Sequence, residues 1–335
     1  MFLHERNQQG RKNSFRKMKM IVNSAGRSPK NPRAVNPGRA ARVTVASAGA
    51  AMNYWILFGL LLLPFCGQGQ VDTQSEKIVL PLSIVQGRPV FELLIAGQGP
   101  FRFVFDTGKM GREITTDQMV ASRFDFKKVD SLVMGDPTGR NVLELPVVII
   151  PALSVGHLTL SHVRAAINPR SLPGINGVAG LSLFGDYLVT LDLGSQRLVL
   201  EKGELGPVDG QQILAYESMR GIPKVKIRIG NEGTEAVLDS GNSRTDISVP
   251  KLLAGRITFS GPVMAAGLAR TMFNQMEIQQ AKIKGNLEIG TNIFAQPMIS
   301  FPAFGEEADL GGGFLKHFSL TFDQKNHRVR FVRID

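Results

Sequence analysis

The sequence predicts an all-β protein assembled from two copies of one folding unit. Three observations lead there. From about residue 78 onward, short runs rich in Val, Ile, Leu and Phe alternate with turns bearing Gly, Pro, Asn and Asp. Val225-Lys226-Ile227-Arg228-Ile229 alternates strictly with period two, the mark of a strand buried on one face, and Arg328-Val329-Arg330-Phe331-Val332 does so less strictly. The third observation is an internal repeat. Gly97-Gln98-Gly99 leads to Phe103-Val104-Phe105-Asp106-Thr107-Gly108, and a slide of 133 residues brings Gly230-Asn231-Glu232-Gly233 and Ala236-Val237-Leu238-Asp239-Ser240-Gly241 onto them.

From the N-terminus, the first segment is set apart by charge. The chain of 335 residues carries a net charge of +11. Residues 1–51 hold eleven Lys and Arg and one acid, Glu5, leaving 28 bases against 27 acids in the remainder. A near-neutral remainder lacks the basic folded face of a nucleic-acid binder. The tail, rich in Ser, Pro, Asn and Gly, reads as a basic disordered leader. It would bind nucleic acid or anionic lipid, act as a transit-type leader, or never be made because translation starts at Met52. The third reading is preferred because residues 52–70 look like a complete signal peptide.

Tyr54 to Phe65 is an apolar run of twelve residues, followed by Gly67, Gln68, Gly69 and Gln70. Crossing a bilayer takes about 20 residues, so the run suits the core of a secretory signal. A buried core helix is the plain alternative, disfavoured because no polar face interrupts the run. The expected location is therefore exported, periplasmic or secreted, with the leader touching the membrane only during export. Anchoring to the envelope, through the N-terminal segment or a lipidated Cys66, is the alternative. Cys66 is the only cysteine, so no intrachain disulfide is available.

The remainder divides at Glu201–Gly210, where Gly203, Gly206, Pro207 and Gly210 cluster, into units 71–205 and 206–335. Short helices are expected near Thr116–Arg123 and Gly313–His317. Each unit closes alike: a slide of 131 overlays Gly180 on Gly311, Thr190 on Thr321, Asp192 on Asp323 and Arg197 on Arg328. Thr190, Asp192, Thr321 and Asp323 are read as structural. Two such units about a pseudo-twofold axis would bring equivalent residues together, predicting a monomer that is an internal pseudo-dimer.

The residues that would meet are Asp106 and Asp239. Each follows an apolar strand, which lowers the local dielectric, and each precedes a hydroxyl and a glycine. Gly108 and Gly241 allow a sharp turn where a β-carbon would clash. The hydroxyls of Thr107 and Ser240 can bond across the axis and lock the loops. Two carboxyls a few ångströms apart share a proton. The ionised one can activate a water, and the protonated one can donate to a carbonyl oxygen. No metal or other cofactor is needed. His157 and His162, five apart on an expected strand, would face opposite ways and make a poor metal pair.

Phe105-Asp106-Thr107-Gly108 and Leu238-Asp239-Ser240-Gly241 resemble the paired motifs of pepsin-like aspartic peptidases. Gly177-Val178-Ala179-Gly180 resembles the apolar-apolar-Gly element beneath their active-site loop. The compact halves and their Thr-x-Asp endings are similar to bacterial and retroviral-type aspartic peptidases, with two copies fused. The resemblance covers about residues 78–335. It implies a two-lobed acid-protease fold, an aspartic endopeptidase activity carried by Asp106 and Asp239, and a peptide or protein substrate. The chain departs from the pattern in three ways. Lys109 and Asn242 stand where a small residue is usual, and Lys109 would face solvent or lower the pKa of the pair. The second apolar-apolar-Gly element reads Asp309-Leu310-Gly311. The expected flap, Leu132–Glu144 with its turn at Gly135–Gly139, has no Tyr, leaving closure to side chains such as Met134. The alternative expectation is a non-catalytic peptide-binding module on the same fold; an adaptor of the cell envelope is a more distant one.

Overall fold

Strands make up most of the computed structural model, which describes residues 77–135, 142–170, 172–270 and 275–334. The leader and signal expected over residues 1–70, with Cys66, lie outside the described residues, as does most of the expected flap turn. Among the described residues there are twenty-four strands and four single-turn helices. The all-β expectation holds, and two of the helices, Gln118–Ala121 and Gly312–Leu315, fall where short helices were expected.

The strands form three sheets. One is drawn from the first half of the chain and runs Ser83–Val85, Arg88–Ile95, Gln98–Phe105, Gly177–Ala179, Ile114–Asp117, Leu158–Asn168, Val142–Val155, Lys128–Gly135. A second, from the second half, includes Met264–Arg270, Gln275–Lys282, Met298–Phe301, Ile247–Ser248, Ala308–Gly311, Glu232–Asp239 and Ile222–Ile229 in that order. In the first sheet Gln98–Phe105 pairs parallel with Gly177–Ala179, which pairs antiparallel with Ile114–Asp117. In the second, Glu232–Asp239 pairs parallel with Ala308–Gly311, which pairs antiparallel with Ile247–Ser248. The third sheet draws on both halves, in the order Ile78–Pro81, Arg197–Glu201, Leu188–Asp192, Phe318–Asp323, Arg328–Arg333, Ile213–Ala215. At its centre Leu188–Asp192 runs antiparallel to Phe318–Asp323, with Thr190 opposite Thr321 and their hydroxyls 2.9 Å apart.

Local chemistry sets these elements. The hairpin that delivers Asp106 turns through Ala96 and Gly97, both with positive φ. The hairpin that delivers Asp239 turns through Gly230 and Asn231, with Gly230 at φ 61°. Two-residue hairpin loops need such left-handed positions, which glycine adopts without strain. Val225–Ile229 is buried at every second residue, as its alternation requires. Asp192 accepts from Ser195 N–H and Arg197, and Asp323 accepts from the N–H groups of Leu205 and Asn326. Both acids thus stabilise the turns and links at the ends of the shared sheet, the structural part expected of them. His157 departs from expectation: it sits in the turn before Leu158–Asn168, and only His162 is on the strand.

One apolar cluster runs from Ile78 to Phe331 beneath the sheets. Phe91, Phe105 and Phe184 form a triangle of rings 6.2–6.3 Å apart under the strand that ends at Asp106. Phe314, Phe318 and Phe331 form a second group around the end of the shared sheet. Phe318 is wholly buried between Phe314 and Phe331. Phe318→Ala is expected to destabilise the fold by about 3–5 kcal/mol through lost burial and the cavity left behind; denaturant unfolding measures it.

Candidate active site

Asp106 follows the last residue of Gln98–Phe105, and Asp239 is the last residue of Glu232–Asp239. The strands leading to them are core: Phe103, Val104, Phe105, Ala236 and Leu238 are all buried. Asp106 N–H donates to the Ala179 carbonyl at 2.9 Å, and Asp239 lies opposite Gly311 in the parallel register. Both chains then turn in the same manner. Lys109 N–H closes on the Asp106 carbonyl and Asn242 N–H on the Asp239 carbonyl, each at 3.2 Å.

The expected cross-link between the loops is present and reciprocal. Thr107 Oγ1 donates to the Leu238 carbonyl at 2.6 Å and accepts from Ser240 N–H at 3.0 Å. Ser240 Oγ donates to the Phe105 carbonyl at 2.8 Å and accepts from Thr107 N–H at 3.0 Å. Both residues are essentially inaccessible to water. Four buried backbone groups therefore find partners only in the opposite half, and the alternative would be unpaired buried dipoles.

The glycines then press each loop onto the other's acid. A β-carbon on Gly108 would sit 2.5 Å from Cγ of Asp239, and one on Gly241 would sit 2.5 Å from Oδ2 of Asp106. Neither φ is in the left-handed region, so the requirement here is space and not backbone freedom. All six residues named from the sequence, Asp106, Thr107, Gly108, Asp239, Ser240 and Gly241, thus come together at one place.

The two carboxyls hydrogen-bond each other, and their surroundings differ. Asp239 Oδ1 accepts from Gly241 N–H at 2.9 Å and Asn242 N–H at 3.0 Å. Oδ1 of Asp106 is enclosed and meets no donor among the described residues. Burial is the largest influence on Asp106 and holds its pKa well above the usual carboxylate range. The charge of Asp239 and the hydrogen bond with it add to that, against Lys109 and Gly108 N–H. Burial also raises Asp239, opposed by hydrogen bonds from Asp106, Asn242 and Gly241.

Lys109 does not face solvent, and its charge favours ionisation of Asp106, the second of the two expectations. Its side chain folds along its own loop, half-buried, and Nζ donates to the carbonyls of Met110 and Glu113. Burial lowers its pKa, while Asp106 and Glu113 favour its charge. Met134 packs against the Leu145, Val147 and Ala166 cluster of its own hairpin, and the neighbour on the opposite face, Val133, is the exposed one.

Two participants were not read from the sequence. Arg88 reaches from the first half, its Nε donating to the Gly241 carbonyl at 3.0 Å. Asp309 hydrogen-bonds the Asp239 carboxyl and accepts from Asn242 Nδ2 at 3.0 Å. Burial and the charge of Asp239 hold Asp309 well above the usual range. The signal for it was the acid in Asp309-Leu310-Gly311, where the matching element has Val178. Among the described residues, no group of three or more His, Cys, Asp or Glu side chains is arranged to hold a metal ion. No protein-family model matches the chain, and no curated protein matches it.

Gly241→Ala is expected to displace the Asp106 carboxyl and to cost about 1–3 kcal/mol through overpacking, measured by denaturant unfolding. Thr107→Val removes the acceptor for Ser240 N–H and the donor to Leu238, and is expected to cost about 1–3 kcal/mol in chemical unfolding, whereas Thr107→Ser retains most of the stability.

The raised acids also predict a pH trend. A folded state that binds protons more tightly than the unfolded chain is most favoured below the ordinary carboxylate pKa. It loses that advantage as pH rises toward the raised values. Asp106→Asn removes one such group, so its Tm should gain on that of the unsubstituted protein as pH rises from about 4 to 7. Parallel thermal melts across that range test the sign.

Proposed function

We propose that this chain is an aspartic endopeptidase in which Asp106 and Asp239 activate a water to hydrolyse peptide bonds, on a two-lobed fold with a pseudo-twofold internal repeat. The observation that carries the reading is a pair of half-buried carboxyls, each pressed by the other loop's glycine, on loops cross-linked by reciprocal Thr107 and Ser240 bonds. The matching strand orders of the two half-chain sheets, and the crossing of Thr190 with Thr321, support the repeat. The proposed lobes are residues 71–205 and 206–335.

In the proposed reaction the ionised carboxyl takes a proton from water as its oxygen attacks the peptide carbonyl carbon. The protonated carboxyl gives its proton to the carbonyl oxygen. The tetrahedral diol then collapses: the C–N bond breaks, the nitrogen leaves protonated, and a carboxylic acid and an amine result. Thr107 and Ser240 keep the acids in register, and Gly108 and Gly241 keep the space between them. An extended peptide would lie as an added strand, bound through its main chain. Export to the periplasm or medium is part of the proposal and rests on residues 52–70.

The test is cleavage of a diverse peptide library by purified protein from about pH 3 to 8, with and without pepstatin, beside Asp106→Asn. The substitution is expected to lower the rate by roughly three to five orders of magnitude. Full activity in Asp106→Asn would sink the assignment. Folded protein that cleaves nothing at any pH would favour a peptide-binding module instead.

A further inference from the structure

The two halves place different side chains around their acids. Beside Asp106, the residue 131 positions before Asp309 is Val178, packed against Val90, Val104 and Ile175. Beside Asp239 the corresponding residue is a carboxylic acid. Likewise Lys109 in the first half corresponds to Asn242 in the second. The frame is shared and the electrostatics are not.

Asn242 shows how Asp309 is held. Its Oδ1 accepts from the backbone N–H of Arg244 at 3.0 Å and of Thr245 at 3.2 Å. That fixes the amide orientation, so Nδ2 must face outward, and it donates to Thr245 Oγ1 at 2.8 Å and to Asp309 Oδ1 at 3.0 Å. Asp309 Oδ1 is therefore an acceptor. The Asp309 carboxyl also hydrogen-bonds that of Asp239. Two carboxyls can share such a bond only if one carries a proton.

Counting donors decides which one carries it. Asp239 Oδ1 receives two backbone donors, Gly241 N–H and Asn242 N–H. Two fixed N–H donors favour the ionised form of that carboxyl, and its remaining acceptor sites are open to the protons of its two neighbours. Asp106 receives Gly108 N–H, and its Oδ1 is enclosed without a donor. Asp309 has one amide donor.

The other charged groups on elements packed around Asp309 are turned elsewhere. Glu235 faces Lys224, Arg244 donates to the Ala266 carbonyl, Asp246 lies against Gly313, and the helix Gly312–Leu315 carries no charge. Lys109 lies beside Asp106, with its ammonium on the Met110 and Glu113 carbonyls.

We propose that Asp309 is a neutral hydrogen-bond donor that holds negative charge on Asp239, making Asp239 the general base and Asp106 the general acid. The inference rests on the peptidase reading for the words base and acid; the charge assignment stands without it. Asp309 acts through Asp239 and is a positioning residue.

The experiment compares Asp309→Asn and Asp309→Val with the unsubstituted protein. Asn retains a donor toward Asp239; Val removes it and restores the side chain found at position 178. The acid limb of the kcat/KM profile reports ionisation of the base. Asp309→Val is expected to move that limb upward by about one to two pH units, a loss of roughly 10- to 100-fold on the acid side. Asp309→Asn is expected to leave the limb in place. Equal losses in both variants with unmoved limbs would overturn the proposal, because a purely structural role predicts them.

Carboxyl-¹³C NMR of the whole protein labelled at aspartate supplies a readout independent of cleavage and of whether the Val variant folds. The resonance lost in Asp309→Asn should remain protonated well above about pH 4, and the one lost in Asp239→Asn should ionise before it. An Asp309 resonance that titrates in the ordinary range would overturn the proposal. If no peptide is cleaved, the titration still decides the charge assignment, and only the peptidase reading falls.

Discussion

Four hydrogen bonds between Thr107 and Ser240 and the strand ends beneath them govern the geometry of everything above. Each hydroxyl gives its proton to a carbonyl of the opposite half and takes an N–H from that half in return. Neither loop can satisfy its buried backbone alone, so the two strand ends are specified together. Because these bonds are out of water, breaking one leaves a buried polar group with no replacement. That is why the positions of Asp106 and Asp239, which belong to different sheets, are mutually determined to within the tolerance of a hydrogen bond.

Such close placement is electrostatically unfavourable. Asp106, Asp239 and Asp309 are all pushed upward by burial, so the folded state resists the charge its proposed chemistry requires. Burial of the aromatic cluster under Phe105 and of the rings around Phe318 offsets that cost. Gly108 and Gly241 keep the close placement that creates it. Any side chain there would relieve the crowding by moving a carboxyl out of the pair. A site that destabilises its own fold is the expected result when a function needs groups placed where stability would not put them.

Much of this was legible in the sequence, and the failures have definite causes. The acids, hydroxyls and glycines were readable because the motif occurs twice in register. The buried face of Val225–Ile229 was readable because its alternation is undisturbed. Asp309 was visible only as a break in a pattern. Its partnership with Asp239 depends on a parallel register that sets Val237 opposite Asp309, about 70 residues later, and nothing local encodes that. Met134, offered for closure, packs with Leu132 against its own hairpin, a contact set by pairing with a strand farther along the chain. Lys109 has a long side chain whose direction is decided by the carbonyls of Met110 and Glu113 in its own loop, whose path the sequence does not spell out.

The proposed repeat carries an intrinsic difficulty that the flanking residues resolve. Two identical acids in identical settings have equal claims on the shared proton, so the frame alone does not say which is ionised. The reaction proposed here needs one base and one acid at the same moment. Differences must therefore come from positions the frame leaves open, among them the residue after the motif glycine and the middle of the element beneath it. Lys109 with Val178 surrounds one acid with a cation and hydrocarbon; Asn242 with Asp309 surrounds the other with a fixed chain of donors. A hydrogen-bond donor adjacent to a carboxylate acts at short range and survives salt, whereas a lysine engaged by two carbonyls acts on its acid through charge alone. The donors therefore outweigh the cation, and the charge settles on the half that carries the amide and the third acid.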